Sequence, residues 1–347
     1  MRALVTGGGG FLGTRIVEML LDRGDDPVAL GRNVYPHLDR LGVQTIQADL
    51  CNPQQVKDAC EGMDVVFHVA ALAGIWGPSD DFWDINAGGT ANVLAGCRAH
   101  AVERLVYTSS PSVVFGADSL CGVDESHPYP KKHTADYPKT KAVAERMVLK
   151  ANRPSLKTVA LRPHLIWGPK DPHILPRLLE RARCGRLKQV GDGTNLVDIT
   201  YIDNAAEAHL MAADALEAPG ACAGRAYFIS QGEPVSLWPW INELLDSLDA
   251  PSVRKSVSYG FAHTMGRAME TFYRTCRLKG EPPMTRFVAS QLAKSHYFSI
   301  DAAKRDLGYF PRVSTKEGMA RLVEWMLSPA APERSAISVV QPQVRSA

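Results

Sequence analysis

The chain has 347 residues, 45% of them hydrophobic, which is more than one small core needs and suits one large domain or two unequal ones. Lys plus Arg (39) nearly balance Asp plus Glu (37), so the net charge of +2 gives no reason to expect nucleic acid or an acidic partner. Seven scattered cysteines (Cys51, Cys60, Cys97, Cys121, Cys184, Cys222, Cys276), never spaced C-x-x-C, argue against a disulfide framework or a structural metal and read as buried thiols of a reducing cytosol.

The N-terminus runs directly into an apolar strand, Ala3–Thr6, with no charged leader and cleavage site, and no run of about 18 apolar residues follows anywhere. A cytoplasmic enzyme is expected, with peripheral membrane contact left open. Next comes Thr6-Gly-Gly-Gly-Gly-Phe-Leu-Gly13, with Gly7, Gly10 and Gly13 in G-x-x-G-x-x-G spacing, opening a helix over Phe11–Asp22 that Gly24 ends. Such glycines let backbone approach a pyrophosphate, whose charge meets free N–H groups at the helix N-terminus; Gly7, Gly10, Phe11, Leu12 and Gly13 are the candidate phosphate contacts.

A second strand, Val28–Leu30, ends at Gly31-Arg32-Asn33, where NAD enzymes usually carry an acidic residue for the adenosine ribose. Arg32 suits a 2′-phosphate instead, so NADP(H) is favoured and NAD(H) stays possible; the plain alternative is a solvated loop arginine. Strands at Thr45–Ala48 and Val65–Ala70 bring Asp49-Leu50 to the adenine edge and Ala70-Ala71 beneath the cofactor.

A helical stretch, Phe82–His100, leads to a fifth strand, Leu105–Ser109, and a serine cluster. Within the helix Ala135–Asn152, Tyr137 and Lys141 are spaced i, i+4 and share a face, so an ammonium can favour phenolate and make tyrosine a usable acid or base. Ser110, with Ser112 as the alternative, is placed to hydrogen-bond the substrate oxygen. A sixth strand, Thr158–Arg162, runs into Pro163, which a family resemblance places on the nicotinamide side.

After about Gly168 the alternation weakens. The expected class is α/β, a Rossmann-type doubly wound parallel sheet with a smaller interleaved C-terminal substrate domain. Residues 1–168 form the dinucleotide domain, about 198–230 return to it, and 169–197 and 231–330 form the substrate region. Residues 331–347 read as a flexible tail. Strand Ala226–Ile229 and helix Leu237–Leu248 fall in the later part. In Phe261–Leu278, an apolar side of Phe261, Met265, Met269, Phe272 and Tyr273 beside Arg267, Arg274 and Arg277 suits a lipid gate or an interfacial helix. The plainer alternative is a helix packing that side on its own domain. His164, His173 and Arg177 are the candidate cations for the substrate carboxylate that a family resemblance implies, although lone histidines at a strand end are more often structural.

These motifs together resemble the extended short-chain dehydrogenase/reductases of the 3β-hydroxysteroid dehydrogenase group over nearly the whole chain. Asn86-Ala-Gly-Gly-Thr90-Ala-Asn92, Leu161–Pro169, Thr200-Tyr-Ile-Asp-Asn204, Phe298-Ser-Ile-Asp301 and Leu307-Gly-Tyr309 add to the likeness. The resemblance implies Tyr137, Lys141 and Ser110 as catalytic residues, Lys141 also holding the nicotinamide ribose. It further implies a homodimer through the helices Phe82–His100 and Ala135–Asn152. Within the group, Tyr35-Pro36, Leu41-Gly-Val43, Pro163–Pro169, Leu175-Pro-Arg177 and Val190–Gly193 with Asn195–Asp198 resemble the NADPH-dependent reductases of 2-alkyl-3-oxoalkanoic acids in bacterial olefin biosynthesis. That likeness implies a hydrophobic β-keto or β-hydroxy acid as substrate and association with other enzymes of that pathway. Sterol-4α-carboxylate 3-dehydrogenases share the same motifs and the same chemistry. Sugar-nucleotide epimerases or dehydratases are a further reading, and a non-catalytic dinucleotide-binding regulator would have lost Tyr137 or Lys141.

Overall fold

A computed structural model describes residues 1–116, 118–172, 174–217 and 222–328. Seven strands form one sheet: β1 (Arg2–Thr6), β2 (Asp26–Gly31), β3 (Gln44–Gln47), β4 (Val65–His68), β5 (Arg104–Thr108), β6 (Lys157–Pro163) and β7 (Ala226–Ile229). Their spatial order is β7-β6-β5-β4-β1-β2-β3 and every pairing is parallel. This is the doubly wound α/β arrangement, and the order reverses between β1 and β4, where such sheets open a crevice at their carboxyl ends. β4 and β5 are buried along their whole length and β6 along nearly all of it, as strands covered by helices on both faces must be.

The strands begin and end within about two residues of the positions that hydrophobic patterning indicates. The helix over Phe11–Asp22 forms as expected, burying Leu12, Ile16, Val17 and Leu20. The stretch 82–100 is less regular: a turn of α-helix, Ser79–Phe82, passes into a π-helix, Trp83–Gly88, before the α-helix Gly89–Ala99. Wide π turns of this kind interrupt helices mostly at functional sites.

By contact the chain divides into two units. The first comprises Met1–Ile166, Asn195–Val235 and Lys294–Ser314; the second comprises Trp167–Thr194, Ser236–Ala293 and the described residues from Thr315. Residues 294–314, which the sequence groups with the substrate region, lie in the first unit: strand His296–Phe298 pairs in parallel with Leu120–Val123, and helix Asp301–Leu307 follows it. Their polarity hid this, because short strands of a secondary sheet carry too little periodicity to declare their partner.

In the second unit, the helix Tyr259–Thr275 packs on Arg286–Ala293 through Ala262, Gly266 and Glu270. A Cβ on Gly266 would come within 2.7 Å of the Thr285 backbone, so only glycine permits that approach. Phe261 and Phe272 are 58% and 57% exposed, and Met265 is also exposed. Phe261, Met265 and Phe272 therefore face outward, Met269 and Tyr273 are half-buried, and the small residues Ala262 and Gly266 make the close approach to the neighbour. The expected tail, 331–347, lies outside the described residues.

Cysteine burial is mixed. All seven cysteines are free, but Cys121, Cys184 and Cys276 are exposed, against the expectation of buried thiols. No described helix is long and apolar enough to cross a membrane.

Candidate active site

The crevice between β1 and β4 is lined first by the glycine loop. Gly7 has φ +69°, a left-handed conformation open to glycine, and a Cβ there would lie 3.0 Å from the Ala70 Cα. On Gly13 a Cβ would meet the Gly7 carbonyl oxygen at 2.1 Å. Gly10 caps the Phe11–Asp22 helix without a side chain, and no acidic residue stands in the first turn. The cradle thus leaves N–H groups and the positive end of the helix dipole unmatched by any local anion, which fits a pyrophosphate.

Five residues behind the loop lock together through four hydrogen bonds. Ala70 N–H donates to Thr6 Oγ1 (3.2 Å), Thr6 pairs with His68 Nδ1 (2.8 Å), His68 Nε2 pairs with Thr90 Oγ1 (3.0 Å), and Thr90 donates to the Asn86 carbonyl (2.6 Å). Because Thr90 spends its proton on Asn86, it accepts from His68 Nε2–H, and Nδ1 accepts from Thr6; the network assigns this neutral tautomer. Burial, with Lys141 nearby, brings the imidazole down to about 3. Asn86, in the π-helix, holds Leu72 through both its N–H and its carbonyl and donates to Thr140, while Asn92 donates to the Leu50 carbonyl. One helical segment therefore fixes the loops after β3 and β4, where Leu50, Ala70 and Ala71 lie.

The reacting residues come from the helix Asp136–Lys150 and the end of β5. Tyr137 is half-buried; burial pushes its phenol up, and a hydrogen bond with Ser110 pulls it back. Ser110 Oγ lies 2.9 Å from Ser112 Oγ, so the two alternative serines share one hydrogen-bonded pair. Lys141 is buried, donates to the Thr108 carbonyl (2.6 Å), and has its ammonium 4.3 Å from the centre of the Tyr107 ring. Burial lowers it to about 7, against an upward pull from Glu145. Both shifts come from removal from water, which raises the phenol and lowers the lysine, a contribution that i, i+4 spacing does not show.

Glu145 was not singled out by sequence reading. It continues the Tyr137–Lys141 face one turn further and is fully buried. Arg162, at the end of β6, clamps it with two bonds of 2.9 and 2.7 Å, and Tyr129 donates at 2.6 Å. The paired guanidinium holds the carboxyl below its ordinary range against the upward push of burial. An acidic residue among Ala142, Ala144 and Val148 on a buried helix face was the available signal.

The remaining candidates separate. Arg32 is exposed at the end of β2, its carbonyl accepting from Gln47 (2.9 Å). Asp49 is half-buried, and its carboxylate accepts from Cys51 N–H. Pro163 closes β6 opposite Ile229. His164 stacks on His296, with ring centroids 4.7 Å apart and Nε2 2.8 Å from the partner's Nδ1. Burial, with His296 beside it, drives His164 well below its ordinary value, so it is a neutral core residue and no cation for a carboxylate. Arg177 is exposed and paired with Glu281 at 3.2 Å. His173 lies outside the described residues. No group of three or more metal-ligating side chains occurs among the described residues.

A glycine cradle at the switch point of a doubly wound sheet, with tyrosine, lysine and serine converging beside it, defines an oxidoreductase that works with a nicotinamide dinucleotide. Residues 4–258 match the 3-beta hydroxysteroid dehydrogenase/isomerase family, and the chain belongs to it. It is 51% identical over 93% of its length to the 2-alkyl-3-oxoalkanoate reductase of Stenotrophomonas maltophilia, covering 98% of that protein. The corresponding protein of Shewanella oneidensis is 49% identical over 92% of this chain and 85% of its own. The sterol-4-alpha-carboxylate 3-dehydrogenase of Mus musculus is 34% identical over 93% of this chain and 90% of its own. Among solved structures, MoeE5 in complex with UDP-glucose and NAD superposes with a TM-score of 0.72 at 26% identity, covering 94% of this chain and 98% of that one.

Proposed function

We propose that this enzyme reduces a 2-alkyl-3-oxoalkanoic acid to the 2-alkyl-3-hydroxyalkanoic acid with NADPH. The observation that carries the reading is the identity of about half the residues to two 2-alkyl-3-oxoalkanoate reductases, against 34% to the sterol enzyme. A dinucleotide held on the Gly7–Gly13 loop would supply the hydride for the ketone carbon. Tyr137 protonates the oxygen as charge develops there, and burial, by keeping the phenol protonated at neutral pH, suits it to the acid role of a reduction. Ser110, bridged to Ser112, hydrogen-bonds the same oxygen and fixes its approach. Lys141 holds the ribose and supplies positive charge beside the phenol, and Arg32 favours the 2′-phosphate.

The outward apolar side of the Tyr259–Thr275 helix supports peripheral contact with a lipid surface, read by co-sedimentation with anionic vesicles. A homodimer through the helices Gly89–Ala99 and Asp136–Lys150 is read by light scattering, and association with neighbouring pathway enzymes by co-purification. The fold likeness to sugar-nucleotide enzymes is shared by the whole architecture and does not choose a substrate.

The deciding experiment offers purified enzyme NADP+ or NAD+ with a racemic 2-alkyl-3-hydroxyalkanoic acid or with a 4α-carboxysterol. Dinucleotide reduction with the open-chain acid and NADP+ is expected. Turnover of the sterol alone would move the enzyme to sterol oxidation, and NAD+ outperforming NADP+ would remove the role given to Arg32. Arg32→Asp should shift preference toward NADH; unchanged selectivity would remove that role equally.

A further inference from the structure

We propose that Tyr35 determines which dinucleotide the chain accepts, its ring filling the place that an acidic ribose ligand would need; this rests on the NADPH preference proposed above from Arg32. β2 ends at Gly31, the position from which NAD enzymes of this architecture present a carboxylate to the adenosine ribose. A Cβ built on Gly31 would lie 2.3 Å from the Tyr35 hydroxyl and 2.7 Å from its Cε2. One built on Gly9 would lie 2.1 Å from both Cδ1 and Cε1 of the same ring. Neither glycine adopts a positive φ. Backbone conformation therefore does not require glycine at either place; the tyrosine ring, lying from the phosphate loop to the strand end, does.

The ring is held from below. Tyr35 precedes the short helix Pro36–Asp39, and its carbonyl accepts from Leu38 N–H (2.8 Å) and Asp39 N–H (3.2 Å). The Tyr35 and His37 rings meet at a steep angle with centroids 6.0 Å apart, and His37 ties back to Thr14 Oγ1 in the Phe11–Asp22 helix at 3.2 Å. Proline at the first helical position fixes the backbone just after the tyrosine. An aspartate at position 31 would require this ring to shift from its place. The two arrangements differ in sign: a carboxylate accepts hydrogen bonds from a ribose diol and repels a 2′-phosphate, whereas a phenol offers a donor and no negative charge.

The test is a double-mutant cycle of Gly31→Asp and Tyr35→Ala. Dissociation constants for NADPH and NADH are read from nicotinamide fluorescence, and those for 2′,5′-ADP and 5′-AMP by calorimetry, so that no readout depends on turnover. Gly31→Asp alone should weaken both dinucleotides, because the displaced ring crowds the loop. Tyr35→Ala should lower the NADPH-to-NADH affinity ratio about tenfold, and the double variant should bind NADH better than either single one, a non-additive result expected only of groups in contact. Equal shifts from Gly31→Asp with and without Tyr35, or an unchanged ratio in Tyr35→Ala, would overturn the assignment. Should Tyr35→Ala fail to melt cooperatively, Tyr35→Val serves for the same cycle. A wild-type preference for NADH would sink the NADPH reading, while coupling between positions 31 and 35 is measured whichever dinucleotide prevails.

Discussion

At Lys141 two physical effects oppose one another. Removal from water favours the neutral amine and takes it to about 7, while the carboxylate of Glu145 favours the ammonium. Tyr137 sits above its ordinary value for the same reason of burial, with Ser110 as its counterweight. Tyr137→Phe should therefore abolish turnover while leaving NADPH binding within about twofold, since the ring stays and only the proton donor goes. Stopped-flow reduction and fluorescence titration of the same preparation check this, and near wild-type turnover would remove Tyr137 from the chemistry. Sequence spacing alone supplied the face that Tyr137 and Lys141 share. It did not supply the direction of the phenol shift, because burial is a property of surrounding atoms that i, i+4 spacing does not encode.

One helix, Asp136–Lys150, carries Tyr137, Lys141 and Glu145 in a line at four-residue steps, and β6 delivers Arg162 to the far end of that line. Removing one member of a buried ion pair leaves the other charged in a low-dielectric setting, at a cost of about 3–5 kcal/mol. Glu145→Gln should thus unfold at clearly lower urea concentration. It should also move the Lys141-linked limb of the pH–rate profile to lower pH, since the lysine loses a carboxylate and gains an uncompensated guanidinium as neighbour. Were Glu145 only structural, stability would fall and that limb would stay in place. The helix Tyr259–Thr275 shows the converse relation between pattern and position. Its amphipathic period was legible, but the side that faces the neighbour is Ala262 and Gly266, chosen by how close two backbones come, while Phe261, Met265 and Phe272 face out.

Across the whole molecule, neutral histidines make folding sensitive to acid. His68 is held to about 3 and His209 to about 4 by burial, and His164 well below its ordinary value. Each takes up a proton near 6.5 once unfolded, so the unfolded chain binds more protons between its folded value and 6.5, and stability falls as pH drops through that window. Each histidine contributes up to about 1.4 kcal/mol per pH unit. Asp198, raised by burial to about 6, acts in the opposite sense between its ordinary 3.8 and 6, where the folded state holds the extra proton. Burial also lowers His133 and raises Glu125, so four imidazoles stand against two carboxyls, and the melting temperature should fall from pH 6.5 to 4.5. A flat profile over that range would show that these imidazoles are already charged in the folded protein.

The amino-acid sequence by itself determined the alternation of strands and helices, the glycine cradle and the shared face of Tyr137 and Lys141, because each depends on residues close together along the chain, where periodicity and steric need are written directly. Tertiary structure alone decided the rest. It brought Thr6, His68, Thr90 and Asn86 into one directed hydrogen-bond chain, set Arg162 against Glu145, paired His164 with His296, and laid Tyr35 across Gly9 and Gly31. These contacts join residues from separate strands, helices and loops. Their partners, burial and charge states are fixed only when the sheet order places those elements side by side.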